Sequence, residues 1–242
     1  MDSTPAHAEL VLVRHGESTG NESGVFSGWR DFGLTDRGRA QAGAAGHALR
    51  ERGLRFTHAF TSRLRRAIDS CDLLLQACGQ PELPRLSLWR LNERHCGAMH
   101  GIDKDECKRR YGAELARTYR RSFTVAPPPA EVGSIDDPRS DDRYRDVDDP
   151  LPLTESMGDL SARVLVAFRE HIEPLLTRGA RVLVVGHGMA LRALARPVER
   201  FEQPELPPWK LASAAPRWYR LDQSLRVVSL VSIDTGSEIP DE

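Results

Sequence analysis

Four consecutive aliphatic residues, Leu10-Val11-Leu12-Val13, follow a polar N-terminal stretch without alternation, the pattern of a strand buried on both faces. The pattern returns at Val182-Leu183-Val184-Val185. Between them, Thr57 to Thr61 predicts a short strand and Leu86 to Leu91 a further one. Trp218 to Leu221 and Arg226 to Val231 read as a terminal pair. Thr35 caps a predicted helix from Asp36 to Arg52 that closes before Gly53, and a second helix runs from about Leu64 to Cys78. Residues 103–121 are helical in pattern and highly basic. Leu160, Val164, Phe168, Ile172 and Leu175 form the apolar stripe of a helix that begins near Ser156 and ends at Gly179, and Met189 to Ala195 is helical again. Strands alternating with helices predict an α/β fold.

The segments between these elements are informative too. Glu22 to Gly33 is a glycine-rich polar loop over the end of the first strand, with a hydroxyl at Ser27 and a close-approach glycine at Gly28. Between Ala126 and Pro152 the chain is rich in Pro, Asp and Ser and too long for an ordinary connector. It reads as an excursion, about 122–153, from a single domain spanning 1–242: a functional lid or a partly disordered segment. A Pro-rich stretch follows at 204–208.

Composition narrows the classes. The 242 residues are 40% hydrophobic and 29% charged, a soluble globular balance in a chain long enough for one large core. A formal net charge of −1 supplies no global field for nucleic acid or an anionic membrane, so an anion site must be a local cluster of cations. Cys71, Cys78, Cys96 and Cys107 show neither CxxC spacing nor a disulfide framework. No apolar run reaches 18 residues and Met1 to Ala8 has no signal-like core, which predicts a cytoplasmic protein with reduced thiols.

Both long apolar runs end in the same way, the first in Arg14-His15-Gly16 and the second in Gly186-His187-Gly188. Ligands bind at the carboxyl ends of strands in open α/β sheets. Two imidazoles there suggest one pocket, in which a histidine acts as nucleophile and an arginine holds an anion. A lone histidine after a strand is more often a hydrogen-bonded structural group. Arg65 and Arg66 occupy a predicted first helical turn, where cations are disfavoured unless an anion is present; a solvated basic turn is the alternative. The Gly188 region begins a helix whose positive end suits phosphate. A third strand leads into Asn92-Glu93-Arg94-His95.

Arg14-His15-Gly16-Glu17 resembles the signature of the histidine phosphatase superfamily. The fuller set, from about Glu9 to Leu230, resembles its 2,3-bisphosphoglycerate-dependent phosphoglycerate mutase branch. The resemblance implies a three-layer fold with a mostly parallel sheet and helices on both faces. It implies His15 as the phosphorylated nucleophile, Arg14, Arg66 and His187 around the phosphoryl group, and Glu93 as general acid/base. Asn21, Ser27, Gly28, Arg94, His95, Cys96, Lys104, Arg120, Arg121, Gly188 and Met189 would bind substrate, leaving Lys108, Arg109 and Arg110 as a solvated face. It further implies 2,3-bisphosphoglycerate as primer, no metal, a small phosphorylated substrate, and a homodimer or homotetramer.

The sequence departs from the branch at several positions. Gly20 stands where the family has Trp, Cys96 where it has Tyr, His100 where it has Gln, and Met189 where it has Asn. Ala212-Ser213-Ala214 replaces a Pro-Thr-Gly. The expectation is a mutase interconverting 3-phosphoglycerate and 2-phosphoglycerate. The alternative is a phosphomonoester hydrolase using the same phosphohistidine, with the edited pocket in its favour. A binding protein without catalysis would need damage at His15, Glu93 or His187, and none is visible.

Overall fold

The computed structural model describes residues 7–201 and 208–236. Its six strands are β1 (Ala8–Arg14), β2 (His58–Thr61), β3 (Arg85–Ser87), β4 (Arg181–Gly186), β5 (Pro216–Leu221) and β6 (Val227–Ser232). They form one sheet in the order β3-β2-β4-β1-β5-β6. The first four neighbours are parallel, and β5 and β6 add antiparallel at one edge. The helices are α1 (Thr19–Glu22), α2 (Asp36–Glu51), α3 (Arg65–Ala77), α4 (Lys104–Tyr111), α5 (Ala113–Arg121), α6 (Met157–Ala167), α7 (Glu173–Leu176) and α8 (Gly188–Glu199).

The unalternating strands divide their residues between two cores. Leu10, Leu12, Val182, Val184 and Phe60 pack with Leu160, Val164, Leu191 and Leu194 of α6 and α8. Val11, Val13, Leu183, Val185 and Ala59 pack on the opposite face with Ala45, Leu49, Cys71 and Leu74 of α2 and α3. Each strand therefore buries both faces, which is why its apolar run is continuous. The result is the three-layer α/β arrangement. Among the described residues, no helix is long and apolar enough to cross a membrane.

Three elements differ from the sequence expectation. The strand expected over 86–91 is only Arg85–Ser87, and Trp89–Leu91 is a 3-10 turn. Arg163 of α6 explains the break: its Nη1 donates to the carbonyls of Trp89, Arg90 and Asn92, and its Nη2 to that of Glu93. Those carbonyls bond a guanidinium where a further strand would otherwise have to pair. The basic 103–121 stretch is two helices, broken at Gly112 with φ +78°. The long helix expected to begin near Ser156 does so, with Ser156 as its N-cap, but widens to a π turn over Phe168–Ile172. Pro174 there has no N–H to continue the α-helical ladder.

The polar excursion carries two 3-10 turns, Pro138–Ser140 and Asp142–Tyr144. Ion pairs Arg30–Asp136, Arg63–Asp146 and Arg90–Asp149 fasten it to the body. Tyr144 is buried with Trp29 and Leu64, and its hydroxyl accepts from Asn92 Nδ2 at 2.7 Å. The Pro-rich stretch at 204–208 lies outside the described residues, apart from Pro208.

Arg163 and Glu155 form a bidentate pair, at 2.6 and 2.8 Å, with side chains only 6% and 3% exposed. Removing the guanidinium would strand a buried carboxylate and deprive four carbonyls of a donor. Arg163→Ala is therefore expected to lose about 3–5 kcal/mol of stability, read as the shift in a urea unfolding curve. A loss under about 1 kcal/mol, the range of an exposed pair, would contradict this role.

Candidate active site

The parallel register of β1 and β4 pairs Arg14 with Gly186, so the two strands end level. The next residue on each is a histidine, and the rings of His15 and His187 lie edge to face, centroids 5.1 Å apart. His15 Nδ1 is 2.6 Å from the carbonyl of Gly16. A carbonyl only accepts, so Nδ1 carries the proton and Nε2 the lone pair. Burial, with the Arg66 and Arg14 charges adding, holds the His15 pKa well below the usual histidine range. Its imidazole is neutral at neutral pH, as a nucleophile must be. His187 is shifted the same way by burial, then by Arg66 and His15.

Arg66 enters from the first turn of α3 and is 1% exposed. Its two terminal nitrogens donate to the carbonyls of Gly28 and Arg30 at 2.8 and 2.9 Å, while Nε is buried without a partner among the described residues. Desolvation pushes it down to about 10, so it stays cationic. Arg65 takes no part in the site, and its backbone N–H donates to Asp31. The basic turn thus separates into one site arginine and one outside it. Arg14 completes the group and donates to the Leu211 carbonyl at 3.3 Å.

Glu93 is positioned through both its backbone and its carboxylate. Trp29 Nε1 donates to its carbonyl at 2.6 Å, Oε1 accepts from the Arg94 N–H, and Oε2 from the Met189 N–H at 3.3 Å. The Met189 amide at the start of α8, expected to face phosphate, is thus bound to Glu93. A carboxylate is the favourable occupant of that positive helix end.

Arg14, His15, Arg66 and Glu93 line a cavity of about 790 Å³, whereas His187 is fully buried behind its wall. The cavity lining holds Arg14, Arg66, Arg94, Lys104, Arg120, Arg121, Arg192 and Lys210, against Glu93 as the single carboxylate among the described residues. Asn21, Ser27, Gly28, Cys96, Gly188 and Met189 also line it. Lys104 comes from the start of α4, and Arg120 and Arg121 from the end of α5. By contrast, Lys108, Arg109 and Arg110 pair with Asp105 and Glu106 outside it. The lining takes nothing from residues 124–156.

One residue expected to bind substrate does not reach the cavity. His95 is fully buried, with Nε2 on the Asp136 carbonyl at 3.1 Å and Nδ1 accepting the Gly97 N–H. Both ring nitrogens serve the scaffold. His100, one of the departures, is also scaffold: its Nε2 accepts from Trp29 N at 3.0 Å and Cys96 N at 3.2 Å. Gly28, at φ +42°, lies so close that a Cβ would collide with that imidazole. The Gly20 departure is steric as well, since a Cβ there would meet Ser27 Oγ and lie 2.7 Å from the Phe32 ring.

The residues that sequence reading missed are Arg192, Lys210 and the apolar Phe123, Met157 and Phe201 on the lining, with Arg163 behind it. Arg163 left one signal, an arginine inside the stripe between Leu160 and Val164.

The sequence profile described as Histidine phosphatase superfamily (branch 1) matches residues 10–140 and 130–234. The chain belongs to the histidine phosphatase superfamily. Within the superfamily, it is 41% identical over 219 residues to a 2,3-bisphosphoglycerate-dependent phosphoglycerate mutase of Treponema pallidum, covering 88% of this chain and 87% of that protein. It is 39% identical to the enzyme of the same name from Neisseria gonorrhoeae, over 91% of this chain and 97% of that one. Among solved structures, it resembles a mycobacterial glucosyl-3-phosphoglycerate phosphatase in complex with VO3 (TM-score 0.68, 26% identity, 93% and 98% of the two chains). A Bacillus anthracis phosphoglycerate mutase shares the fold (TM-score 0.64, 20% identity, 97% and 96%).

The buried imidazoles set a pH dependence. His15, His187 and His100 are held well below the ordinary value of about 6.5, and burial brings His95 down to about 4. Unfolding returns all four to that ordinary value, so below it the unfolded chain binds more protons than the folded one. Stability therefore rises with pH across the interval from the folded values up to about 6.5. The urea midpoint is expected to fall between pH 7 and pH 5; an unchanged midpoint would show that these imidazoles are not desolvated.

Proposed function

We propose that this protein is a 2,3-bisphosphoglycerate-dependent phosphoglycerate mutase, interconverting 3-phosphoglycerate and 2-phosphoglycerate through phospho-His15. The observation that carries this reading is the pairing of a neutral His15 and its arginines with further cations, Lys104, Arg120 and Arg121, in the same cavity. A simple phosphatase needs only the first group. A substrate with a carboxylate and a second phosphate requires both. The curated relatives at about 40% identity, which carry this enzyme's name, support the same reading.

In this mechanism the enzyme is primed by 2,3-bisphosphoglycerate. Arg14, Arg66 and His187 direct donors at the three oxygens over which the transferring phosphoryl group spreads its charge. The donor set fits a multiply charged anion, since the buried Arg66 Nε and His187 Nδ1 have no partner among the described residues. Transfer breaks the N–P bond at His15 Nε2 and forms an O–P bond to the free hydroxyl of the monophosphoglycerate, whose proton passes to Glu93. In the reverse sense Glu93 returns the proton to the departing oxygen. Asn21, Ser27, Gly28, Arg94, Cys96, Lys104, Arg120, Arg121, Gly188 and Met189 hold the rest of the substrate while its two phosphates exchange places.

The deciding assay follows 2-phosphoglycerate and free phosphate together from 3-phosphoglycerate, with and without catalytic 2,3-bisphosphoglycerate. The expected result is primer-dependent 2-phosphoglycerate with little free phosphate; free phosphate without isomerisation would make the protein a hydrolase. His15→Ala should abolish both phosphoenzyme and turnover. Glu93→Gln should slow turnover by about 10²–10⁴-fold.

Replacing Arg120 and Arg121 together by Ala should reduce mutase turnover far more than hydrolysis of a small phosphomonoester. Equal losses on the two substrates would remove these residues from the distal anion site.

A further inference from the structure

The sheet order places three strand ends side by side, β2, β4 and β1, and the residues that follow them are Ser62, the His187 region and His15. Thr61 pairs with Val185, which brings Ser62 beside the end of β4. Ser62 and His187 are both fully buried. Ser62 Oγ lies 2.7 Å from His187 Nε2 and accepts the Leu64 N–H at 3.1 Å. On its other side His187 meets the His15 ring, and its Nδ1 is buried with no hydrogen-bond partner among the described residues.

A neutral imidazole has one donor and one acceptor nitrogen. If Nε2 carried the proton, Ser62 Oγ would accept both from Nε2 and from Leu64. Its own hydroxyl proton would then have no acceptor among the described residues, and Nδ1 would be a buried lone pair without a donor. If Ser62 donates to Nε2, the hydroxyl is satisfied on both sides and Nδ1 carries a hydrogen. Only the second arrangement leaves a single unpaired group, and that group is a donor. An unpaired buried polar atom is costly, so the arrangement with fewer is favoured. A donor beside His15 is also what a phosphoryl oxygen requires, whereas a lone pair would repel it.

We propose that Ser62 is a positioning residue that fixes His187 in its Nδ1–H tautomer, so that His187 donates to the phosphoryl group on or approaching His15. Ser62 itself does not touch the substrate. This inference rests on the phosphohistidine reading for its consequence but not for its test, because the tautomer exists whether or not substrate is present.

The experiment is two-bond ¹⁵N–¹H correlation NMR on the full-length, ¹⁵N-labelled protein, with His187 assigned by comparison with His187→Gln. In the unaltered protein His187 is expected as Nδ1–H, with Nε2 as the unprotonated nitrogen. Finding Nε2–H there overturns the proposal outright and needs no Ser62 variant to fold. Ser62→Ala should then shift His187 towards Nε2–H. It should also slow ³²P transfer from labelled 2,3-bisphosphoglycerate onto His15 by roughly 10²–10³-fold, the scale of losing one preorganised donor to a developing anion. KM for 3-phosphoglycerate should change little, and Ser62→Thr, which keeps the hydroxyl, should restore both tautomer and rate. An Ala variant that keeps the Nδ1–H tautomer and its transfer rate would assign Ser62 to packing alone. If the Nδ1–H tautomer is present and yields to Ser62→Ala, but no phosphate is taken from 2,3-bisphosphoglycerate, the mutase reading fails while the Ser62 assignment stands.

Discussion

The site depends on the level termination of two neighbouring parallel strands. β1 and β4 pair in register as far as Arg14 and Gly186, and the His15 N–H extends the ladder to the Gly186 carbonyl at 2.9 Å. A slip of one residue would turn every β1 side chain to the opposite core. It would also carry His15 away from His187. The continuous apolar runs prevent this only because both cores are built and full, with Leu10 and Leu12 on one side and Val11 and Val13 on the other. Catalytic geometry here is a by-product of sheet register.

Burial and charge then act on the imidazoles in one direction. Desolvation and the neighbouring guanidiniums all oppose protonation of His15, and the Gly16 carbonyl decides which nitrogen keeps its proton. Among the described residues, eight cations line the cavity against one carboxylate, although the whole chain carries a formal charge of −1. The field that attracts an anionic substrate is therefore local, and its opposite charge is spread over the remaining surface.

Much of the polar chemistry behind the cavity wall is structural. Arg163 gathers the carbonyls of Trp89, Arg90, Asn92 and Glu93 and pairs with Glu155, which in turn accepts the His95 N–H. His100 holds the amides of Trp29 and Cys96, and Trp29 holds the Glu93 carbonyl. The backbone carbonyl of the general acid/base candidate is thus held by two groups, Trp29 and Arg163, that lie off the cavity wall. His95 sits in the same string of polar residues as Glu93, and His100 follows beyond Cys96-Gly97-Ala98-Met99, yet both serve this support.

The sequence alone determined the order of strands and helices, the two histidines at strand ends and the excess of arginine near them. These are local: unalternating aliphatic runs must be buried on both faces, and a strand that stops at His-Gly presents those residues at its end. Thr35 was legible as a cap because a cap is made within four residues of chain. The tertiary structure alone decided which polar residues face the cavity. Arg65 and Arg66 are adjacent, but only one direction from the α3 turn leads inward; Lys104 and Lys108 are one helical turn apart, but only one lines the wall. The short β3 was hidden for the same reason, because Arg163, more than 70 positions further along the chain, supplies the donors that end it. Burial, hydrogen-bond partner and pKa are properties of what surrounds a side chain, and that environment is assembled from segments the linear sequence does not place together.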